Sequence, residues 1–454
     1  MKVPVAPPDL PTLLRRVANQ RPERLLEIVS AAGGAAPDGR YRHWDTLRHV
    51  PPPKGLSSEE WWLGVKFARL QLYQTLPFTT KEGRPFKYAL VAPVHRMLHY
   101  VTKNASGAIQ VDEVVTDPGT RDTYLVKSLV EEAITSSQLE GASTTRAAAK
   151  EMLQHGRKPR DRSEQMIFNN YRAMEFVRPV NDAPLTSSIV LELHRLLTEG
   201  TLDDPTAAGR LRRPDEEIVV ADPFGVRLHT PPPADMLPRR LEDLCVFANS
   251  YREDEKETFL DPVIRAILLH FWLAYDHPFV DGNGRTARAL FYWSLAVQGY
   301  WLAEFISISR ILKKAPARYA EAFLYVETDD DDVTYFLLHQ LRVTERAIGA
   351  LHDYLVIKER EVRETERVLR SSSLATAAFN HRQLALLNHA LKHRGFSYTF
   401  ASHLRSHRVT YQTARTDLLA LERAGLLERL VRGRTFLFVA PPDFRARLDG
   451  IARP

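Results

Sequence analysis

Cysteine is nearly missing from this chain: Cys245 is the only one in 454 residues, which rules out an internal disulfide. It falls in the helical pattern Leu241, Leu244, Phe247 and reads as a core residue rather than a nucleophile. An apolar run of about 18 residues is missing too, as is a leader of charged, apolar and small segments, so the expectation is a cytoplasmic protein with no membrane partner. Internal repeats and metal-ligand clusters are likewise absent. What is present is ordinary globular material, 44% hydrophobic and 26% charged, long enough for two to four domains.

The informative stretch is residues 277–288, HPFVDGNGRTAR. Ahead of it, Ile264, Ile267, Leu268, Phe271 and Trp272 recur at helical spacing, and Pro278 ends that helix just after His277. Asp281-Gly282-Asn283-Gly284 fits no regular structure, whereas Arg285 onward resumes a helical pattern. The sequence therefore predicts a loop feeding a helix N-terminus.

Such an N-terminus has unpaired N–H groups and a positive dipole end, so a polyphosphate can dock there. Gly282 and Gly284 let the backbone come close to the anion. Arg285 and Arg288, three apart on one helix face, bring forked donors. Asp281 is a hard oxygen ligand of the kind that shares Mg²⁺ with nucleotide phosphates. His277 is left as the general base, since an ordinary histidine titrates near ~6.5. Singly these features are commonplace, because a His before a Pro usually ends a helix and DGNG usually turns a chain. Together they point to nucleotidyl transfer.

At this point the sequence resembles the Fic family, whose signature HPFx(D/E)GNGRxxR is matched at every position. The resemblance implies a compact helical fold and, in most members, transfer of AMP from ATP to a hydroxyl side chain (Ser, Thr or Tyr) of a protein. It assigns deprotonation of the target hydroxyl to His277, the metal to Asp281, and the α-phosphate anion hole to Gly282, Asn283 and Gly284. Arg285 and Arg288 take the remaining phosphates, and Phe279 is grouped with the nucleotide-binding residues. Members often pair two tyrosines along the base; here Arg318-Tyr319-Ala320 keeps one, so Tyr319 is the nucleotide candidate and UTP is not excluded.

A second run, residues 122–140, is helical and amphipathic (Tyr124, Leu125, Leu129, Ala133, Ile134) and closes at Gly141. By itself Glu140 is an ordinary last-turn acid at the unfavourable end of a helix dipole. The stretch nevertheless resembles the family's inhibitory motif (S/T)xxxE(G/N), with Ser136, Glu140 and Gly141 at its positions. The resemblance implies that Glu140 pairs with Arg288, blocks productive triphosphate binding, and in some relatives assists AMP removal.

Between the motifs, a helix is expected over Ser187 to Glu199. Glu216–Val220 and Val226–His229 follow, β-like around Asp222-Pro223-Phe224-Gly225. Relatives use an equivalent flap to add backbone hydrogen bonds to the target segment. Charge is uneven: from residue 376 there are 13 Lys and Arg against 5 Asp and Glu, while the whole chain is only +6. That segment parses as three helices (His381–Leu391, about Thr399–Arg405, about Tyr411–Arg423) and two β-like runs, Leu426–Val431 and Thr435–Val439, joined by Arg432-Gly433-Arg434. It resembles a winged helix-turn-helix. Thr410, Gln412, Thr413 and Arg415 would face a DNA major groove, and Arg432 and Arg434 would lie in the wing. Winged helices also dock proteins and form dimers, so both kinds of partner stay open.

The N-terminal part offers Trp61-Trp62, read as core anchors, a helical segment to about Leu72, and an element over Lys87–Tyr100. Asp329–Asp332 reads as a loop before a helix Val333–Leu341, and Thr344–Arg370 as a connecting helix that could also form a homodimer contact. The expected architecture is mainly α: an N-terminal helical domain (1–120), a helical catalytic domain with a short β-hairpin flap (121–343), a connector (344–375) and a winged helix (376–454). The expected activity is protein adenylyl transfer using ATP and Mg²⁺, held off by Glu140. The alternatives are a DNA-binding regulator whose core senses nucleotide, and transfer of another nucleotide such as UMP.

Overall fold

The computed structural model describes residues 2–105, 118–177, 183–222, 224–252, 259–300, 303, 305–370, 379–393, 396–432, 435–444, 446 and 447. It is mainly helical, with short strands. At its centre the helix Pro262–Asp276 is buried almost all round (Ile264, Ile267, Leu268, Phe271, Trp272, Leu273) and packs against the helix Asn283–Val297. A helix buried on nearly every face can only sit inside a core, and this one anchors the largest apolar cluster. Cys245 is buried there.

Several expectations change. Lys87–Tyr100 is two elements: a strand Pro85–Ala89, paired with Tyr73–Thr79, and then a helix Ala92–Ala105 with Pro93 in its first turn. The β-hairpin and that helix share the main core, while Leu13, Val17, Ile28, Trp44, Trp61 and Trp62 build a separate N-terminal cluster. The two helices expected around residue 342 are one, Thr334–Arg370, since nothing between Leu341 and Thr344 breaks a helix. The expected flap strands shrink to Val220–Ala221 and Arg227–His229, with Gly225 turning back onto the Asp222 carbonyl. Phe224 at its tip is 88% exposed.

The acidic run is neutralised by protein cations and hydroxyls. Lys66 Nζ lies 2.7 Å from Asp329, Arg84 Nε 2.8 Å from Asp331, and the Tyr41 and Tyr73 hydroxyls donate to Asp332. These contacts fasten residues 41–84 to the loop before the long helix. No helix among the described residues is long and apolar enough to cross a membrane.

Residues 380–444 form their own apolar cluster around Leu387, Leu418, Leu421, Leu427 and Phe438. Three helices, His381–Lys392, Phe400–His407 and Tyr411–Arg423, carry a sheet in which Thr435–Val439 lies between Ser397–Tyr398 and Glu428–Arg432. The Phe400–His407 helix packs against Pro118–Leu139 and Arg146–His155.

Candidate active site

The signature begins where the 262–276 helix stops. Asp261 caps its start by accepting from the Val263 and Ile264 N–H groups, and His277 ends it at φ +45°. A left-handed non-glycine costs ~1–2 kcal/mol, so something must hold it. Arg212 does: its Nε donates to the His277 carbonyl at 3.0 Å and its backbone N–H to the Pro278 carbonyl at 2.9 Å.

In the half-buried His277 ring, Nδ1 stands 3.3 Å from the Ala274 carbonyl. A carbonyl only accepts, so Nδ1 carries a proton, and in the neutral ring Nε2 is then left with the lone pair. Burial presses the His277 pKa down to about 4, against the opposing pull of the Ala274 carbonyl and the Glu140 charge. The ring is therefore neutral, as a proton acceptor must be.

The loop is tighter than the sequence suggested, because Asn283 and Gly284 already belong to the helix Asn283–Val297. Gly282 precedes it at φ +84°, a conformation that favours glycine, and no side chain caps the first turn. The Asn283 amide is spent inside the loop, accepting from Phe279 N–H at 2.9 Å and donating to Phe279 C=O at 2.8 Å. What Asn283 can present to an anion is its backbone. Phe279 is fully buried, its ring stacked 3.7 Å from that of His194, and shapes the loop from within.

Asp281 keeps a side chain 41% exposed, with Oδ2 3.3 Å from Arg285 and Oδ1 accepting from Gly282 N–H. One accessible carboxylate beside an uncapped helix start fits Mg²⁺, which takes few protein ligands and several from substrate. Among the described residues no cluster of three or more His, Cys, Asp or Glu offers a complete protein cage. Arg285 is buried and donates to the Leu197 carbonyl at 3.0 Å, and burial holds its pKa below the usual guanidinium range. Tyr319 hydroxyl is 2.7 Å from His270 Nε2, and burial raises its pKa to about 12.

Arg288 is the meeting point. Its Nη2 reaches Glu140 Oε1 at 2.7 Å and the Ser136 carbonyl at 3.2 Å, and its Nε donates to the Ser136 hydroxyl at 2.9 Å. Burial disfavours its charge, but Glu140, Tyr319 and Glu132 together outweigh it and its pKa ends up raised. The helix Pro118–Leu139 delivers these groups: Ser136 is in its last turn, Glu140 follows its end and Gly141 turns away at φ +94°. A Cβ added at Gly284 would run into the Glu140 carboxylate. The carboxylate therefore occupies the first turn of the signature helix, the place where an anion would dock.

Residues 184–295 match the Fic/DOC family. The chain carries a Fic domain. Its signature lies inside the matched span, while Glu140 and the C-terminal residues lie outside it. Curated relatives include protein adenylyltransferase fic-1 of Caenorhabditis elegans, 36% identical over 101 residues (22% of this chain, 17% of that one). Protein adenylyltransferase Fic of Drosophila willistoni is 35% identical over 133 residues (28% and 23%). The chain thus spans about a fifth of the length of these relatives. A solved structure of Fic-1 (residues 134–508) from Caenorhabditis elegans aligns over 78% of this chain and 90% of its own, at 19% identity and TM-score 0.49.

In the Fic domain two groups went unread in the sequence. His194 reads there as part of the helix expected over Ser187 to Glu199, observed over Ser187–Thr198, and Arg212 as one arginine in a polar stretch. Each acts on the signature through a backbone carbonyl, and backbone partners leave no residue-type signal. In the C-terminal helices Thr410 caps the Tyr411–Arg423 helix through Thr413 N–H, whereas Gln412 and Arg415 are exposed. Arg434 and the side chain of Arg432 lie outside the described residues.

Proposed function

We propose that the chain is a protein adenylyltransferase that moves AMP from ATP to a Ser, Thr or Tyr hydroxyl of another protein, with Glu140 holding the enzyme off. The observation that carries this reading is His277 with its Nδ1 turned to the Ala274 carbonyl, beside an uncapped helix start and an accessible Asp281. His277 Nε2 takes the hydroxyl proton as that oxygen attacks the α-phosphorus, and the bond from the α-phosphorus to the departing pyrophosphate breaks. The Asn283, Gly284 and Arg285 N–H groups face the α-phosphate charge, and Arg288 holds the terminal phosphates once Glu140 leaves it. Asp281 would hold Mg²⁺, which supplies charge neutralisation to the phosphates when bound. The flap, with Phe224 at its tip, is the segment along which a target strand would pair.

Transfer of label from α-phosphate-labelled ATP to protein in lysate, with none from γ-phosphate-labelled ATP, is the expected result. Label from the γ position alone would overturn it. The same experiment with UTP tests the choice of base.

A second reading concerns residues 376–454, proposed as a winged helix that binds DNA from a cytoplasmic setting. The favouring observation is that Tyr411, Gln412 and Arg415 project from one helix while Leu418 and Leu421 of that helix fill the module's core.

A further inference from the structure

The ring of His194 bridges two backbones. Nε2 is 2.9 Å from the Asp281 carbonyl, and Nδ1 is 3.0 Å from the Gly209 N–H. A peptide N–H can only donate and a carbonyl can only accept, so both bonds exist together only in the neutral tautomer with the proton on Nε2. The ring is fully buried, stacked on Phe279 with the planes 4° apart. A Cβ on Gly282 would stand 2.8 Å from Thr198 Cγ2 and 3.4 Å from His194 Cδ2, so the helix Ser187–Thr198 is the bed on which the loop lies. Three positions after Gly209, Arg212 takes the carbonyls of His277 and Pro278.

We infer that His194 is a positioning residue: by fixing the Asp281 carbonyl it sets where the Asp281 carboxylate meets the metal. The inference rests on the nucleotidyl-transfer reading and adds to it a residue that touches neither nucleotide nor target. Partners of this kind typically contribute ~10–100-fold to metal affinity.

The test uses the full chain carrying Glu140→Gly, so that nucleotide can enter, and reads Mn²⁺ binding in the presence of ATP by electron paramagnetic resonance. His194→Phe keeps the stacking and loses both hydrogen bonds, and Mn²⁺ affinity should fall roughly tenfold or more. His194→Gln retains a donor for the Asp281 carbonyl and should recover most of that loss. Should His194→Phe not fold, His194→Asn keeps the acceptor toward Gly209, drops the donor and should lose affinity likewise. Equal Mn²⁺ affinity in all these chains overturns the role of His194 alone. Failure of the Glu140→Gly chain itself to bind Mn²⁺ and ATP sinks the nucleotidyl-transfer reading with it.

A separate contact carries a second proposal. The Phe400–His407 helix lies on Pro118–Leu139, the helix that ends just before Glu140, and the His381–Lys392 helix touches it too. The Arg405 guanidinium rests against Gly156, the left-handed cap of the Arg146–His155 helix. Arg408, the left-handed residue that ends the Phe400–His407 helix, acts electrostatically on the Tyr171 hydroxyl of the Arg162–Val177 helix, as Glu175 does from that helix itself. We propose that the C-terminal module is a clamp on the helix bearing Ser136 and Glu140, so that its docking sets how firmly Glu140 stays on Arg288.

The double variant Arg405→Glu, Arg408→Glu in the full chain should raise amide exchange across residues 127–139 and raise automodification several-fold. In the Glu140→Gly background the same pair should add nothing to labelling, since the group being held is gone. Unchanged exchange overturns the clamp, as does a rise in labelling that persists undiminished with Glu140→Gly. If Glu140→Gly alone leaves labelling unchanged, the inhibition reading falls, and amide exchange still decides whether the module is docked.

Discussion

Glu140 and Arg288 are 148 positions apart in the chain and 2.7 Å apart in space. The arginine side chain is 2% exposed and the glutamate's 27%, so the pair is shielded on one side and open to solvent on the other. Removing one member of a buried pair strands the other, a loss of roughly 3–5 kcal/mol in the fully buried limit. Arg288 keeps its two bonds to Ser136, and that softens the loss.

Glu140→Gly should therefore lower the melting temperature of the nucleotide-free chain and raise labelling from ATP by about tenfold or more, the equivalent of roughly 1.4 kcal/mol. ATP should stabilise the variant more than the parent, because phosphate replaces the lost carboxylate. The double change Glu140→Gly, His277→Ala should show no labelling. If AMP removal is catalysed here, Glu140→Gly should abolish it. Equal labelling in parent and single variant, with both folded, would remove Glu140 from any inhibitory role.

His277→Ala should cut transfer by ~10²–10⁴-fold while ATP affinity in the Glu140→Gly background stays within a few-fold. The pH dependence follows from the depressed pKa of about 4. An unfolded histidine protonates below ~6.5, but the folded His277 stays neutral down to about pH 4. The base is thus competent from neutrality to about pH 5, and the acid limb of the rate should fall near 4 rather than 6.5. Stability runs the other way: as pH drops from 6.5 toward 4 the unfolded chain takes up protons that the folded chain refuses, so stability declines across that window. His194, His270 and His339, all pushed down chiefly by burial, should deepen the decline. Melting curves and initial rates over pH 4–8 check both, and an acid limb centred at 6.5 would contradict the buried-base assignment.

Asp281→Asn should raise the Mg²⁺ concentration for half-maximal transfer by at least the roughly tenfold that outer partners of a metal contribute. It also takes the carboxylate charge away from the buried Arg285, which keeps its bond to the Leu197 carbonyl, so a drop in melting temperature is expected alongside. A variant with unchanged Mg²⁺ dependence would move the metal elsewhere.

For the C-terminal module, the full chain should bind duplex DNA from its own promoter region with affinity that falls as salt rises. Arg415→Ala should cost roughly 1–3 kcal/mol on a preferred sequence and relax selectivity there. Absence of binding at low salt to every duplex tried, in a chain that instead associates with itself or a protein, would assign the module to docking.

What the sequence determined by itself is local. The apolar rhythm from Ile264 to Trp272 stopping at Pro278, the glycine at 282 where φ must be +84°, and the core position of Cys245 are decided by neighbours a few residues away. The Tyr411–Arg423 helix and the Thr435–Val439 strand were legible for the same reason. Folding decided whatever depends on groups far apart in the chain. The strand Tyr73–Thr79 was unread because its pairing with Pro85–Ala89 and its burial in the main core, more than its own alternation, make it a strand. Asp329–Asp332 became an internal ion-pair and hydroxyl network because Lys66, Arg84, Tyr41 and Tyr73 were brought to it from the N-terminal part. Likewise Arg212 and His194 hold the signature loop through backbone carbonyls, which every residue possesses, so no choice of side chain in that loop announces them.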